Sequence, residues 1–500
     1  MDNIKEGMLW PPASVMATKM AEHSAWYSGD PEIIANYYNG VLNNNFLQLP
    51  YTLKNGESFW GRQIKNQGEI FVHVPIAGDI AETSANLLFG EAPIIRLDGK
   101  GEAIKAAQKS LDEMLDEVGF NRKLLEGAEL CASLGGVFLR LAWDREMSPY
   151  PFVVVNQPDQ AIPVFKYGML NKVVFWKVLS SNEAGTIVYR LLEEYSKGYI
   201  KSYLYKGTSD RLGKRVDLKE YEGTQDIEEV VVTPDLLLAV YIPNALPNRL
   251  DRTSYLGRSD LSGIEGLMDS LDETFSLWVR EIALAQAKVF IPEQYLRNSG
   301  GKQKFNLDTM LYVKLDVDPV NDSQSITPQQ FEIRADEFEK TVLNLMDRII
   351  TGAGYSPQSF GLAIQGRAES GLALQLRERK SFSTKAKKEK YWAEGIKKLV
   401  EAMIAVYNYI GGNIPAGKIT VSFSDGVMNN FTELSTAVAQ ISSAMAASTE
   451  TKVRLLHPEW DEDSIAAEVE KILDENGLKP VENPDVGFDN PDEAQINSKE

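Results

Sequence analysis

The chain has 500 residues, 43% of them hydrophobic, enough to bury more than one core. Acidic residues outnumber basic ones 71 to 52 for a net charge of -19, which excludes a protein that wraps nucleic acid with a broadly basic surface. A single cysteine, Cys131, excludes a disulfide framework, no run reaches the roughly 20 apolar residues of a membrane span, and the opening MDNIKEGMLW lacks the pattern of a secretion signal, so a soluble, intracellular protein is expected.

Taken in order, Met16, Met20, His23 and Tyr27 fall at helical spacing, and Ser28-Gly29-Asp30-Pro31 ends that helix and opens the next. His23 reads as a packed helix residue, and the apolar run IFVHVP as a short strand. Three helices follow: IAGDIAETSANLLFG closed by Gly90, GEAIKAAQKSLDEMLDEVGF with Ile104, Ala107, Leu111, Met114 and Val118 on one face, and NRKLLEGAELCASLGG with Cys131 on its apolar side. From residue 137 to about 245 the period changes to two. VFLRLAW, PFVVVN, KVVFWKV, TIVYRLLEEY and YIKSYLY are strands bounded by Pro, Gly, Asn and Ser, so the fold class is α+β. NALPNRLDRTSYLG marks a boundary.

A first rod is predicted over 258–291, where Ile264, Leu267, Leu271, Phe275, Trp278 and Ile282 recur at helical steps while Asp269, Asp272 and Glu273 form an acidic stripe on the other side. At about 1.5 Å per residue it would span about 45 Å. Residues 292–334 form a compact insertion with a strand in MLYVKLDVD and another in QQFEIR, and a second helix returns over 335–351. A glycine-bearing loop over 352–368 leads into a helix of about 60 Å, with Gly395 its candidate bend, and then a strand, so that 369–428 is one kinked helix plus a strand. Residues 429–475 are helical, with Ser448, Thr451 and Asp463 as caps and His457 at a helix end; the acidic, Pro- and Asn-rich tail 476–500 reads as disordered.

No catalytic or metal-binding motif emerges, and no cofactor is expected. Gly361 to Ala368 has the glycine spacing of a phosphate loop, but Arg367 and Ala368 stand where lysine and a Mg²⁺-binding hydroxyl are needed. The strongest charge signal is basic. Residues 377–398 carry a net +6, including Arg377, Arg379, Lys380, Lys385, Lys387, Lys388 and Lys390. Such a face is either simply solvated, or contacts nucleic-acid phosphates, or pairs with the acidic surface of a neighbouring copy, which the acidity of the remaining chain favours.

WYSGDP, HVPIAGDIAETSANLLFGE, ELCASLGGVFLRLAWD, VFWKV, the rod-insertion-rod unit and AESGLALQLRERKSFSTKAKKEKYW occur in an order that resembles the portal, or head-to-tail connector, proteins of long-tailed double-stranded DNA bacteriophages. The resemblance covers about residues 20–475. It implies a homo-oligomeric ring, typically a dodecamer, at one capsid vertex of the virion. Residues 1–257 would be the wing, 258–291 and 335–351 the stem, 292–334 the clip, 352–368 the tunnel loop, 369–428 a long helix and wing strand, and 429–475 the crown. It further implies double-stranded DNA passing through the channel without sequence preference, and partners in the terminase large subunit, a head-completion adaptor, and capsid and scaffolding proteins, with assembly in the host cytoplasm and no membrane or enzymatic role. Ser356, Gln358, Ser359, Phe360, Gln365 and Arg367 would then be the candidates facing the DNA. Two other readings are another virion adaptor, of tail or capsid, and a nucleotide-dependent packaging enzyme, which Arg367 and Ala368 disfavour.

Overall fold

The computed structural model describes residues 4–12, 14–43, 58–61, 71–99, 101–182, 185–285, 288–292, 312–315, 327–329, 332–362, 371–415, 417–423, 431–457, 460 and 462–476. Its contacts divide the chain into two units, Met1–Ser424 and Asp425–Glu500.

The first unit opens with α1 (Val15–Ser28), started by the Ser14 side chain accepting the Ala17 N–H and ended by Gly29 in the left-handed region at φ 66°. Helix α2 (Pro31–Asn43) begins on a proline, which needs no N–H there. The strand expected in IFVHVP does not form: residues 71–75 carry no strand, and the amides of Val72 and Val74 bond to side chains of a later helix. Then come α3 (Ile76–Phe89), β1 (Ile94–Leu97), α4 (Glu102–Glu117) and α5 (Phe120–Leu134).

Strands β2 (Gly136–Ala142) and β3 (Phe152–Asn156) make a three-stranded antiparallel sheet with the later β10 (Ala239–Pro243), in the order β10-β2-β3. A larger antiparallel sheet runs through β4 (Ala161–Lys166), β5 (Met169–Ser181), β6 (Val188–Ser196), β7 (Tyr199–Gly207) and β8 (Lys214–Val216), with β9 (Val230–Val232) also on β7, before β10 (Ala239–Pro243).

Helix α6 is Glu265–Leu284, 20 residues, and so about 30 Å rather than the predicted 45 Å. The first rod is shorter because residues 258–259 are irregular and 260–264 are turns, in which Leu261 and Ile264 are buried, and because the β-favouring Val289, Phe290 and Ile291 join β11 (Lys288–Pro292). Strand β11 pairs in parallel with β12 (Tyr312–Leu315), where a strand is expected, and antiparallel with β13 (Thr327–Gln329), which shares only Gln329 with the expected QQFEIR strand, whose residues 332–334 form no strand. Helix α7 (Ala335–Ala353) runs two residues past its predicted end, to a left-handed Gly354 at φ 106°. Helix α8 (Gly371–Tyr409) is unbroken, and β14 (Ile419–Ser422) pairs antiparallel with β1.

The C-terminal half of α8 lies in the largest core. Trp392, Ile396, Leu399 and Met403 are at most 1% exposed and share a cluster with residues of α4, α5, β2 and β10. Each such burial contributes about 1.5–3 kcal/mol, which fixes that half of the helix against the sheet. Gly395 serves this packing rather than a break: a Cβ there would stand 2.6 Å from Ile242 Cδ1 of β10. A second cluster joins α1, α2, α3, α6 and α7 through Trp26, Ile34, Trp60, Ile80, Leu271 and Ile349.

In the second unit, α9 (Phe431–Ser443), α10 (Thr449–Leu456) and α11 (Glu462–Glu475) follow in sequence. Ser448 caps α10 by accepting the Thr451 N–H, so Thr451 is the capped residue, and Asp463 lies inside α11. His457 ends α10 and stacks on Trp460 with centroids 3.9 Å apart. The tail expected to be disordered, from residue 477 onward, lies outside the described residues.

Candidate functional site

The first part of the glycine-bearing loop expected over 352–368 is bonded to α8. Pro357–Phe360 is a turn of 3-10 helix ended by Gly361 at φ 71°. Ser381 of α8 fastens it: the Ser381 hydroxyl accepts the Ser356 N–H at 2.8 Å and bonds the Ser359 hydroxyl at 2.8 Å. Thr384 donates to the Gly354 carbonyl at 2.6 Å, and Lys380 donates to the Thr351 carbonyl. Ser356 is buried, Gln358 and Ser359 are half-buried, and Phe360 packs on the second core. Four of the six predicted DNA-facing residues therefore belong to a bonded and packed base. The other two, Gln365 and Arg367, lie outside the described residues.

Beneath that base is a buried polar hub. The Lys388 ammonium donates to Ser84 Oγ of α3 at 2.7 Å, to the Tyr355 hydroxyl at 2.9 Å, and to Asp260 Oδ2. Tyr355 in turn donates to Asp260 Oδ2 at 2.7 Å, and Asn244 donates to Asp260 Oδ1 at 2.8 Å. All five residues are at most 7% exposed. Three acceptors saturate the three N–H bonds of the ammonium, which is what permits a lysine there. Burial, followed by the Asp260 charge, holds the Tyr355 hydroxyl well above its ordinary pKa. The hub ties α3, the turn before α6, the end of α7 and α8 to one point.

The basic cluster of α8 is thus split by its helical face. Lys388 points inward, and Lys385 is buried with Glu389 at 3.6 Å, so neither presents its charge to a partner. Lys380 is exposed but bound to Thr351. Arg379, Lys387 and Lys390 are exposed with no carboxylate partner among the described residues. The Arg377 side chain lies outside the described residues.

Two members of the acidic stripe of α6, Asp269 and Asp272, are likewise turned inward, while Glu273 is half-buried. Asp269 accepts the N–H groups of Phe59 and Trp60 at 2.8 and 3.3 Å. Asp272 accepts the Trp60 indole N–H at 2.9 Å, the Val74 N–H at 2.9 Å and His73 Nδ1–H at 2.7 Å. Ser276 accepts the Val72 N–H at 2.9 Å. At spacings of three and four these groups share one helix face and hold the residues around Trp60 and His73 in place of a strand partner. One turn earlier, Glu265 bonds His23 at 3.0 Å and Lys19 at 3.3 Å, so the packed His23 also carries a specific bond. Sequence periodicity missed these contacts because Asp at a helical stripe looks the same whether it faces water or a backbone amide.

Burial pushes the Cys131 thiol well above its ordinary pKa, which keeps it protonated and inert. Among the described residues no His, Cys, Asp and Glu cluster could hold a metal ion, and no helix is long and apolar enough to cross a membrane. The described residues assemble a scaffold of clamps: buried charges and amides that fix loops to long helices. A family model described as phage portal protein, SPP1 Gp6-like, matches residues 17–477, and the chain belongs to that family. It is a structural protein of the virion, a portal at the capsid vertex that works as a ring of copies. No curated protein matches the chain. Among solved structures it is similar to a chain in the neck of an empty GTA particle computed with C6 symmetry, with 11% identity over 80% of this chain and 95% of that one and a TM-score of 0.43. It is also similar to a chain in the virion of a native gene transfer agent (GTA) particle, with 12% identity over 90% and 96% and a TM-score of 0.40.

Proposed function

We propose that twelve copies form a ring whose axial channel passes double-stranded DNA during packaging and ejection, and that the chain has no enzymatic activity of its own. The module over 292–334 docks the terminase large subunit and later a head-completion adaptor, while capsid and scaffolding proteins meet the outer face during assembly in the host cytoplasm. The observation that carries this reading is the family match across nearly the whole chain. The net charge of -19 supports it, since an acidic wall repels phosphates and keeps DNA from sticking. The bonded base over 354–360 supports a finer point. A loop that touches moving DNA needs a stiff anchor, so its contacts are assigned to the residues beyond Gly361, Gln365 and Arg367 among them, and they are weak and independent of sequence.

Replacing residues 363–368 by a Gly-Ser linker leaves Ser356, Ser359 and Ser381 in place. Closed rings with an axial hole are expected by negative-stain imaging and solution mass, together with impaired packaging or retention of DNA. Normal packaging would sink the loop assignment, a monomeric wild type would sink the ring, and nucleotide hydrolysis by the purified chain would sink the structural reading.

A further inference from the structure

The segment between β10 and α6, which reads in sequence only as a boundary, is a built platform. Asn248, 2% exposed, donates to the Leu256 carbonyl at 3.1 Å and accepts the Leu250 and Asp251 N–H groups at 3.0 and 3.4 Å. Asn244 donates to the Arg258 carbonyl at 3.0 Å, and the Arg258 N–H bonds the Ala245 carbonyl at 3.0 Å. The loop is therefore fixed at both ends by buried amides. On it Arg249 is exposed and Arg258 half-exposed, and beside them stands Lys387, the neighbour of the hub lysine.

Arg258 stands two residues before Asp260 and Lys387 next to Lys388, so the Asp260–Lys388 bond brings these two cations to one place, and Arg249 lies on the same fixed loop as Arg258. Desolvation first, then Arg258 and Arg249, lower the Lys387 pKa; desolvation, then Arg249, lower that of Arg258. The acids at hand are taken: Asp260 by Lys388, Tyr355 and Asn244, and Asp251 by the Thr253 N–H at 3.0 Å and hydroxyl at 2.6 Å. Among the described residues none of the three pairs with a carboxylate.

The same loop carries Tyr255, which links it to the turn between β4 and β5. Tyr255 is 49% exposed, packs at a tilt on Phe165 of β4 with centroids 5.4 Å apart, and lies against Gly168 in the β4–β5 turn. That turn presents Tyr167 at 98% exposure and Met169 at 67%. Tyr167 has φ 50° and Gly168 φ 81°, the pair of positive angles a tight hairpin demands, where Asn or Gly is the ordinary choice for the first position. A tyrosine held there, wholly in water, has no packing role within this chain.

We propose that Arg249, Arg258 and Lys387, with Tyr167, Met169 and Tyr255, form a contact surface for an acidic face of the adjacent copy in the ring. This rests on the ring reading. Charge complementarity selects the occupant: a chain of net charge -19 offers acidic faces on every copy, and like copies would repel unless basic patches are set against them. The composition selects it over DNA. Tyr, Met and Arg are enriched at protein interfaces, whereas a duplex backbone is held by cations and polar groups and gives exposed Tyr and Met nothing to bury against. The platform's buried amides hold its backbone in place before contact, lowering the ordering cost.

The test is ring assembly of the full chain, by mass photometry across a dilution series at fixed salt, for wild type, the triple variant Arg249→Glu, Arg258→Glu and Lys387→Glu, and Tyr167→Ala. At unchanged thermal melting, at least a tenfold rise in the half-assembly concentration is expected for the triple variant and about threefold for Tyr167→Ala. If the triple variant misfolds, Tyr167→Ala decides alone. Wild-type assembly by both variants overturns the surface. Intact rings that have lost affinity for a 20-base-pair duplex overturn it in favour of DNA. A wild type that forms no ring overturns the ring reading and this surface with it.

Discussion

Glu265 and Asp269 lie one turn apart on α6, both withdrawn from water, and their surroundings drive them in opposite directions. Burial opposes the charge on Glu265, but the His23 hydrogen bond and the charges of His23 and Lys19 outweigh it and take the pKa down to about 2. Burial raises Asp269 to about 6; the amides of Phe59 and Trp60 offset this only in part, and Glu273 and Asp272 add to it. Backbone dipoles fix the position of a carboxylate without fully replacing its hydration, whereas a neighbouring cation does replace it. The first turn of α6 is therefore an ionic joint to α1, and the next two turns a joint of amides, of which Asp269 responds to mild acid.

The largest expected break is Asp272→Ala. It strips partners from the Trp60 indole, the Val74 amide and the buried His73, a loss of about 4 kcal/mol. A lowered melting midpoint and faster hydrogen exchange at Val74 check it, and unchanged exchange would show that the amide joint holds nothing. Next comes the pH response, about 3 kcal/mol for each carboxylate at about 1.4 kcal/mol per pH unit. Asp269 has its folded pKa above the unfolded 3.8, so its stabilisation is complete below pH 3.8 and is lost as the pH rises through about 6. Asp269→Asn should therefore gain in melting temperature relative to wild type between about pH 4 and 7. Glu265 is the reverse, with stabilisation complete above pH 4.5 and lost as the pH falls through about 2. The deficit of Glu265→Gln should be largest near neutral pH and shrink toward about pH 3. Parallel pH curves for the two variants would erase the distinction between the joints. Smallest is Ser276→Ala, about 1 kcal/mol, read as exchange at Val72 alone.

Helix existence was legible wherever apolar spacing was long and regular, as in α4 with Ala107, Leu111 and Met114 buried on one side. Strands announced themselves by period two from residue 137 onward. Strand β1 did not, because its burial alternates but its residue types do not, with isoleucine at both the exposed Ile94 and the buried Ile95, and its partner is found only at β14. The first rod is expected too long because Val289 continues the helical stripe of Trp278 and Ile282 as readily as it enters a strand. Site residues were hardest. Lys387 and Lys388 are adjacent and chemically identical, and only the packing of α8 on Asp260 makes one of them a buried support and the other exposed. Gly395 shows the same limit, since a glycine in a helix signals a bend or a close neighbour equally well, and here Ile242 is that neighbour.

The pairing of Ile94–Leu97 with Ile419–Ser422 also has a temporal side. With Leu97 opposite Ile419, one edge of the first unit is completed by residues made more than 300 positions later. At ribosomal speeds that gap takes on the order of half a minute. Until then β1 is an edge without a partner, and the core around α4 and α5 lacks Trp392, Ile396 and Leu399. The first unit therefore closes only after α6, α7 and the module between them have been synthesised, so a truncated chain carries an open core into any attempt to join a ring.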